Sequence, residues 1–403
     1  MKHLLATAFF TLSLAFSLPV CAQQRLAGKV VDAATGQPVP YASIGVLGTP
    51  RGTTSNAEGE FELREVALPG RLVVSELGHR RDTLAVTATL ASQPLQVRLQ
   101  PASVLLPDVQ VGSYAAELMA KAYRQLRRTN AQKIYAEAFY RQISRLDGQV
   151  TEVQEMVWHT QTSSAGVEGT ALAQARYARR DALISFKDFS FFTRDAGIFS
   201  PARDSTTTTA IISPQTARYY TLKVLGVTAA DDGQELLEIG FASKPDVNPH
   251  HYQGSVLLNS ATGQVLRLRL QTPDFHSTSN NPTFRFREEV RTFELVFKPL
   301  PNGATRPDYF KIGYQGIMGR ALRGDVQLQA SSVAYFYAPQ SQPLAGVVYA
   351  PAQVGQSDIL AIKKTTYDPA FWRDNSVVKR TPLEEETMRA FEQKGAFGTM
   401  LTP

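Results

Sequence analysis

The chain of 403 residues holds a single cysteine, Cys21, and six histidines. One cysteine excludes disulfide staples, and it sits where a signal peptide would end. Cleavage there would leave no thiol nucleophile and no zinc–thiolate site. The histidines are His3, His79, His159, His250, His251 and His276, and none is followed by Glu three residues on, so the His-x-x-Glu pair of a zinc carboxypeptidase is missing. HExxH, the G-x-S-x-G elbow, the P-loop and the dinucleotide fingerprint are absent as well. Past the first residues no apolar run approaches the ~18 positions of a membrane-spanning helix. Blocks of one charge sign are also missing. Pairs such as Arg127-Arg128 and Arg179-Arg180 read as a solvated face, not a nucleic-acid footprint.

Lys2 and His3, the apolar run Leu4–Leu18, Pro19 and then Val20-Cys21-Ala22 form a secretory signal over residues 1–22, with Gln23 as the expected mature N-terminus. Lipidation at Cys21 is the alternative, but Pro19 and Val20 stand where a lipoprotein signal places small residues. Removing the signal takes Lys2 away and leaves 41 basic against 36 acidic residues, a net charge of +5. The expected location is the periplasm or the periphery of the outer membrane.

From Arg25 to Leu99 short alternating stretches are separated by turn signals, without a helical period. Asn56-Ala57-Glu58-Gly59 has the chemistry of a type I turn, and Phe61 and Leu63 then alternate with charged residues. The expectation is a seven-stranded β-sandwich over residues 23–101, followed by a linker over 102–112. Gly28-Lys29-Val30-Val31-Asp32, Thr35–Pro40, Ala42-Ser43-Ile44, Thr53–Phe61 and Val73-Val74-Ser75 with Gly78 carry a resemblance. They resemble the carboxypeptidase-regulatory-like domain common in secreted proteins of Bacteroidetes, with His79 where that family usually has Tyr. The resemblance implies a transthyretin-like sandwich without an active site of its own. His79 itself reads as a surface histidine.

Leu105–Gly112 is expected to close the sandwich, and the remainder is too short for the ~22-stranded barrel that follows such a segment in transporters. Ser113 would cap a helix over Tyr114–Arg128, with Leu118/Met119, Ala122/Tyr123 and Leu126 as its buried stripe. About ten meandering strands follow, from Ile134–Arg145 and Val150–His159 to Val326–Tyr337. The clearest hairpin, Ser255–Leu270, turns at Ala261-Thr262-Gly263. In Thr283–Phe297 the apolar side switches mid-strand, which fits a bulge in a curved sheet better than the continuous lipid face of a small outer-membrane barrel, the alternative architecture. Thr381-Pro382-Leu383-Glu384 is a capping box that opens a last helix, ended by Gly395. The fold class expected is mainly β: the sandwich, then a curved antiparallel sheet, or half-barrel, with packed helices over residues 113–403.

Ala138-Phe139-Tyr140-Arg141, Gly254–Asn259 with Thr262-Gly263, and Tyr367-Asp368-Pro369-Ala370-Phe371-Trp372 resemble the region that follows such sandwiches in Bacteroidetes envelope proteins. The helix-plus-meander order is similar to the half-barrel of lipoprotein carriers, which would imply an apolar cavity. These patterns point to an exported, non-catalytic protein without metal or cofactor, binding an envelope protein, a glycan or a lipid. Its apolar lining is expected at Leu266, Leu268, Leu270, Phe284 and Phe286, unless the Tyr114–Arg128 and Leu383–Lys394 helices fill the concavity. The competing reading is a hydrolase working through Asp231/Asp232 or Glu288/Glu289. Adjacent carboxylates point apart, so neither pair is the facing pair of a glycosidase. His250-His251 likewise makes a poor chelate.

Overall fold

The computed structural model describes residues 24–49, 51–102, 104–105, 112–180, 184–186, 189–190, 192, 210–229, 233–248, 250–273, 277, 283–320, 323–351, 357–374, 377–393, 395 and 397. The signal segment, Asp231, Asp232 and His276 lie outside the described residues.

Seven strands form the N-terminal part: β1 (Gln24–Asp32), β2 (Ser43–Val46), β3 (Gly52–Thr54), β4 (Glu60–Val66), β5 (Gly70–Ser75), β6 (Asp82–Val86) and β7 (Leu95–Leu99). They make two sheets in the orders β4-β1-β7 and β3-β2-β5-β6, packed over Leu26, Val30, Ile44, Phe61, Leu72, Val74 and Val97. Strand alternation dictates this burial: in β7, Leu95, Val97 and Leu99 face in while Gln96 and Arg98 face out. The Asn56–Gly59 turn forms as its residues require. Gly59 N–H donates to Asn56 O at 3.0 Å, Asn56 Oδ1 accepts from Glu58 and Glu60, and Gly59 takes φ 75°. A Cβ there would stand 2.4 Å from Val30 O, so only glycine fits. The four-residue helix Ala88–Ala91, capped by Thr87, is an addition to the expected all-strand order.

The rest is one antiparallel sheet of twelve strands: β8 (Val104–Leu105), β9 (Ile134–Leu146), β10 (Gln149–Ser163), β11 (Gly166–Arg179), β12 (Tyr220–Ala229), β13 (Glu235–Ser243), β14 (Gln253–Asn259), β15 (Val265–Thr272), β16 (Phe284–Pro299), β17 (Thr305–Arg320), β18 (Arg323–Gln340) and β19 (Ala350–Pro351). The order is β19-β11-β10-β9-β18-β17-β16-β15-β14-β13-β12-β8. Val104 and Leu105 do not close the sandwich: they pair with Thr228 and Val227 on the free edge of β12. The sheet stays open, since among the described residues β19 and β8 do not pair with each other. That departs from the closed outer-membrane barrel.

The inner face carries the Gly112–Thr129 helix, which starts two residues earlier than expected and so takes Ser113 into its first turn. Ala115, Leu118, Met119, Ala122 and Leu126 pack on Tyr140, Trp158, Ile239, Val256, Leu258, Leu268, Phe297 and Phe336. Phe192, Ile211, Ile212 and Tyr219 belong to the same core, as do Ile359 and Ile362 of the Asp358–Lys363 helix. Three buried carboxylates hold the covering segments. Glu152 accepts from Tyr177 Oη, Ser185 Oγ and Phe186 N–H. Asp358 accepts from the N–H groups of Phe189 and Ser190, and Glu289 from Ser277 and Tyr314 Oη. Each fully buried Leu or Phe in such a core contributes roughly 1.5–3 kcal/mol, so an empty inner face would be a costly alternative.

The last helix, Pro382–Gln393, takes the other side. Met388 and Phe391 pack with Ile143, Val153 and Ala178 on the outer face of β9–β11. Its capping box forms reciprocally, with Thr381 N–H donating to Glu384 Oε2 at 2.8 Å and Glu384 N–H to Thr381 Oγ1 at 3.1 Å. One of the two helices named as plugs therefore fills the inner face, and the other clamps the outer one.

Candidate functional site

The five residues expected to line one apolar concavity occupy three places. Leu268 and Leu270 are buried in the inner core. Leu266 faces outward with Leu236 and Leu257, under Leu77 of the sandwich, because the β14–β15 register shifts between Leu257 and Leu258. Phe284 and Phe286 are half-buried beside Met318, Tyr314 and Phe189 at the far end of the inner face. A bulge between Arg287 and Val290, with Glu288 at φ 52°, brings Phe284 and Phe286 to the side of Phe293. The expected mid-strand switch is this bulge. The same bulge separates the adjacent acids: Glu289 is buried on Tyr314 and Ser277, whereas the Glu288 side chain is 72% exposed. Among the described residues no group of His, Asp and Glu is placed to hold a metal ion.

His79 departs from a simple surface histidine. Its Nδ1 lies 2.6 Å from Glu76 Oε2 and its Nε2 3.0 Å from Asp32 Oδ2. The Glu76 hydrogen bond is the main cause that raises the imidazole above its ordinary pKa, and Asp32 adds to it against partial desolvation. Asp32 is held at about 2, chiefly by the Thr35 backbone N–H, with His79 and Ala34 contributing. At Glu76 burial pushes upward, but the His79 and Gly78 hydrogen bonds outweigh it and the carboxyl is lowered.

On the outer face of β9–β11 lies a buried ionic cluster. Glu155 accepts Arg141 Nε at 2.7 Å and Arg176 Nε at 2.6 Å. Arg141 also donates to Val378 O and Glu384, Arg176 reaches Glu392, and the Arg176 guanidinium lies 4.9 Å over the Trp372 ring. Burial acts to raise Glu155, yet Arg176, Arg141 and Arg380 together hold it down at about 2. The Ala138–Arg141 and Tyr367–Trp372 motifs thus meet at one place. They fasten the C-terminal segment to the sheet.

That segment also holds the sandwich. Val378 forms a parallel bridge with Thr54, Thr53 Oγ1 donates to Val377 O, Asn56 Nδ2 to Arg380 O, and Lys379 pairs with Glu60. Nearby, Lys298 Nζ donates to Ser43 Oγ at 2.7 Å and pairs at 2.8 Å with the buried Asp308, and Tyr41 packs against Tyr309. The contacts leave a seam between sandwich and sheet with two openings around the Lys298–Asp308 pillar. One, of about 860 Å³, is walled by Glu76, Leu77, His79, Arg80, Leu236 and Leu266. The other, of about 1010 Å³, is walled by Gly45, Arg51, Arg64, Arg306, Tyr337 and Phe371. A third depression, of about 790 Å³, lies over β12–β16, where Leu225 covers Gly240. Of the expected lining residues, Leu266 reaches the seam and Leu270 the third depression. Lys298, Arg306 and Tyr337 were not singled out by sequence, and Phe371 only as part of the Tyr367–Trp372 motif.

Residues 26–111 match the family model of the CarboxypepD_reg-like domain. Among curated proteins none matches the chain. The fold is similar to a DUF1329 family protein from Desulfovibrio piger ATCC 29098, at 10% identity and a TM-score of 0.26, covering 58% of this chain and 95% of that one. A LolA superfamily protein from Nitrosomonas europaea is similar at 11% identity and a TM-score of 0.22, covering 57% of this chain and 94% of that one. Scores this low leave the sheet's own topology as the basis for its description.

Proposed function

We propose that the chain is an exported, non-catalytic protein of the cell envelope whose seam between sandwich and sheet is its binding site. The signal segment supports export, and the match to a regulatory-like domain supports a role without chemistry. The observation that carries the reading is the seam itself. It is a cleft walled by both halves of the chain and held apart by the Lys298–Asp308–Ser43 pillar. The inner face, where a carrier's apolar cavity would lie, is occupied by the chain's own helix. The divergence of Glu288 and Glu289 removes the facing pair that a hydrolase reading requires of them.

Hydrogen exchange on the full chain, with and without a soluble extract of the cell envelope, tests the proposal. Protection on both walls, around Gly45–Thr53 and around Tyr337 and Phe371, is expected. Protection confined to the inner-face helix, or none at all, would overturn it.

A further inference from the structure

We infer that one end of the large sheet, where β9, β11 and β17 begin, docks on an anionic lipid surface. The Gly112–Thr129 helix lies across that end. Lys121 Nζ donates to Ser260 O at 2.7 Å in the β14–β15 turn, Gln125 Nε2 to Gly303 O at 2.6 Å in the β16–β17 turn, and Thr129 Oγ1 to Ser164 Oγ at 3.0 Å in the β10–β11 turn. With its apolar stripe packed in the core, the helix turns Arg124, Arg127 and Arg128 to solvent. Lys121 to Lys133 is a run of thirteen residues with five cations and no acid, and the three turns beneath it hold no charged residue. Lys121 and Arg128 donate to neutral oxygens, of Ser260 and Gln125, which leave their charge in place, whereas Lys133 pairs with Glu168. The next acid on the helix is Glu117, one turn before Lys121.

The second feature is apolar. From Val326 to Ser357 the chain carries no charged residue. Within that stretch Leu344–Val347 is a tight turn. Val347 N–H donates to Leu344 O at 3.2 Å, Gly346 takes φ 77°, and Leu344 N–H donates to Tyr349 Oη at 3.3 Å. Tyr349 packs on Tyr135 at 5.2 Å, two residues after Lys133, and Ala350 and Pro351 pair with Thr170 and Gly169. The turn is thus fixed at the end of the sheet that the helix crosses. Val348 beside it is 84% exposed, with Pro343 and Ala345 also in solvent. Cations next to an ordered apolar projection match the boundary of an anionic bilayer, whose phosphates meet the arginines while its acyl region covers the valine. A soluble anion would use the cations and leave Val348 in water.

Vesicle sedimentation tests the inference on the chain from Gln23 onward, so that the apolar signal takes no part. Vesicles of phosphatidylglycerol and phosphatidylcholine in equal parts should bind it, vesicles of phosphatidylcholine alone at least about tenfold more weakly, and salt should reduce the difference. Arg124→Gln with Arg128→Gln should weaken binding about tenfold or more, since one cation near such a surface contributes about fivefold. Val348→Ser should weaken it several-fold without changing the charge. Arg285→Gln with Arg323→Gln, exposed at the other end of the sheet, should change it little. Thermal melts establish that each variant is folded. Equal binding to both vesicles overturns the inference, as does a loss from the Arg285 and Arg323 pair as large as that from Arg124 and Arg128. Binding that ignores Val348 also overturns it, because the arginines would then attract any polyanion. No binding to either vesicle overturns it as well and leaves the seam unaffected, since none of the substituted residues walls it.

Discussion

The substitution Glu155→Gln removes one charge from a site closed off from solvent. Glu155 is 1% exposed and is shared by two guanidiniums, Arg141 and Arg176, which are 5% and 1% exposed. The amide keeps the shape and some hydrogen bonding but leaves two like charges buried with weaker partners: Glu384 and Glu392, each at 3.3 Å, the Val378 carbonyl at 3.2 Å and the Trp372 ring. Breaking a buried pair on one side costs about 3–5 kcal/mol. The carboxyl's own titration gives a similar magnitude. It lies at about 2 instead of 4.5, which at 1.36 kcal/mol per unit is about 3 kcal/mol. Because the folded value is the lower one, this stability is fully present above the unfolded pKa and is lost as pH falls through about 2. The gap between wild type and Glu155→Gln should therefore be constant from pH 6 to 8 and close between about pH 4.5 and 2. Trp372, one of the chain's two tryptophans, lies against Arg176 and reports the cluster directly in a Trp158→Phe background. Denaturant melts followed by Trp372 fluorescence give the gap, and limited proteolysis should show earlier cleavage between Val377 and Gly395. Replacing Glu155, Arg141 and Arg176 together by apolar residues of similar volume should restore most of the loss. A Glu155→Gln protein within about 1 kcal/mol of wild type at pH 7 would refute the reasoning, and so would a gap that is the same at pH 7 and pH 2.

His79→Gln should destabilise the sandwich most at pH 5.5–6, because the raised folded pKa gives stability below the unfolded value that is lost as pH rises through the folded one. Melts at pH 6 and 9 check this, and a gap that widens at pH 9 contradicts it. A polypeptide of residues 23–101 should fold cooperatively around its own core. It should self-associate more than the full chain, since Thr54 on the β3 edge loses Val378 and Tyr41 and Leu77 lose their cover. Size-exclusion chromatography and a melt decide, and an unfolded fragment would count against it. Thr381→Ala should cost about 1 kcal/mol through loss of the capping box, seen as a lowered melt. Mass spectrometry of the exported protein should find Gln23 at the N-terminus; a diacylated Cys21 would replace that reading with a lipoprotein.

Strand placement was legible because it is local. A two-residue period reports which side of a strand is apolar, and it located the sandwich strands and the β14–β15 hairpin. In that hairpin Gly263 takes φ 74° and Asn259 Oδ1 accepts from Ala261 and Thr262. Where the period was weak the reading slipped. β11 spans Gly166–Arg179, whereas alternation alone gives a strand only over Ala175–Ile184: Gly166, Gly169, Ala171 and Ala173 carry little pattern, and long pairing with β10 decides. The helices Asp358–Lys363 and Pro369–Asp374 are too short to show a period at all. The local pattern also says nothing of what covers an apolar side. Both long helices are amphipathic, and only the packed sheet separates the one that fills the inner face from the one that clamps the outer.

The seam was illegible for a further reason: its walls are far apart in the chain. Thr53 meets Val377 across 324 positions, and Ser43 meets Lys298 across 255. Lysines, arginines and single tyrosines at such distances carry no spacing that a motif could register. One local signal did exist. Tyr335-Phe336-Tyr337 and Phe139-Tyr140 put rings on both sides of central strands, with Tyr140 and Phe336 in the inner core and Phe139 and Tyr335 packed with Trp372 and Val378 outside. A strand exposed on one face alternates apolar with polar, whereas rings on successive residues require cover on both. Applied to β9 and β18, that rule demands a second layer over the outer face. Among the described residues the sandwich and the C-terminal segment supply it, and the seam forms where the two meet over β16–β18.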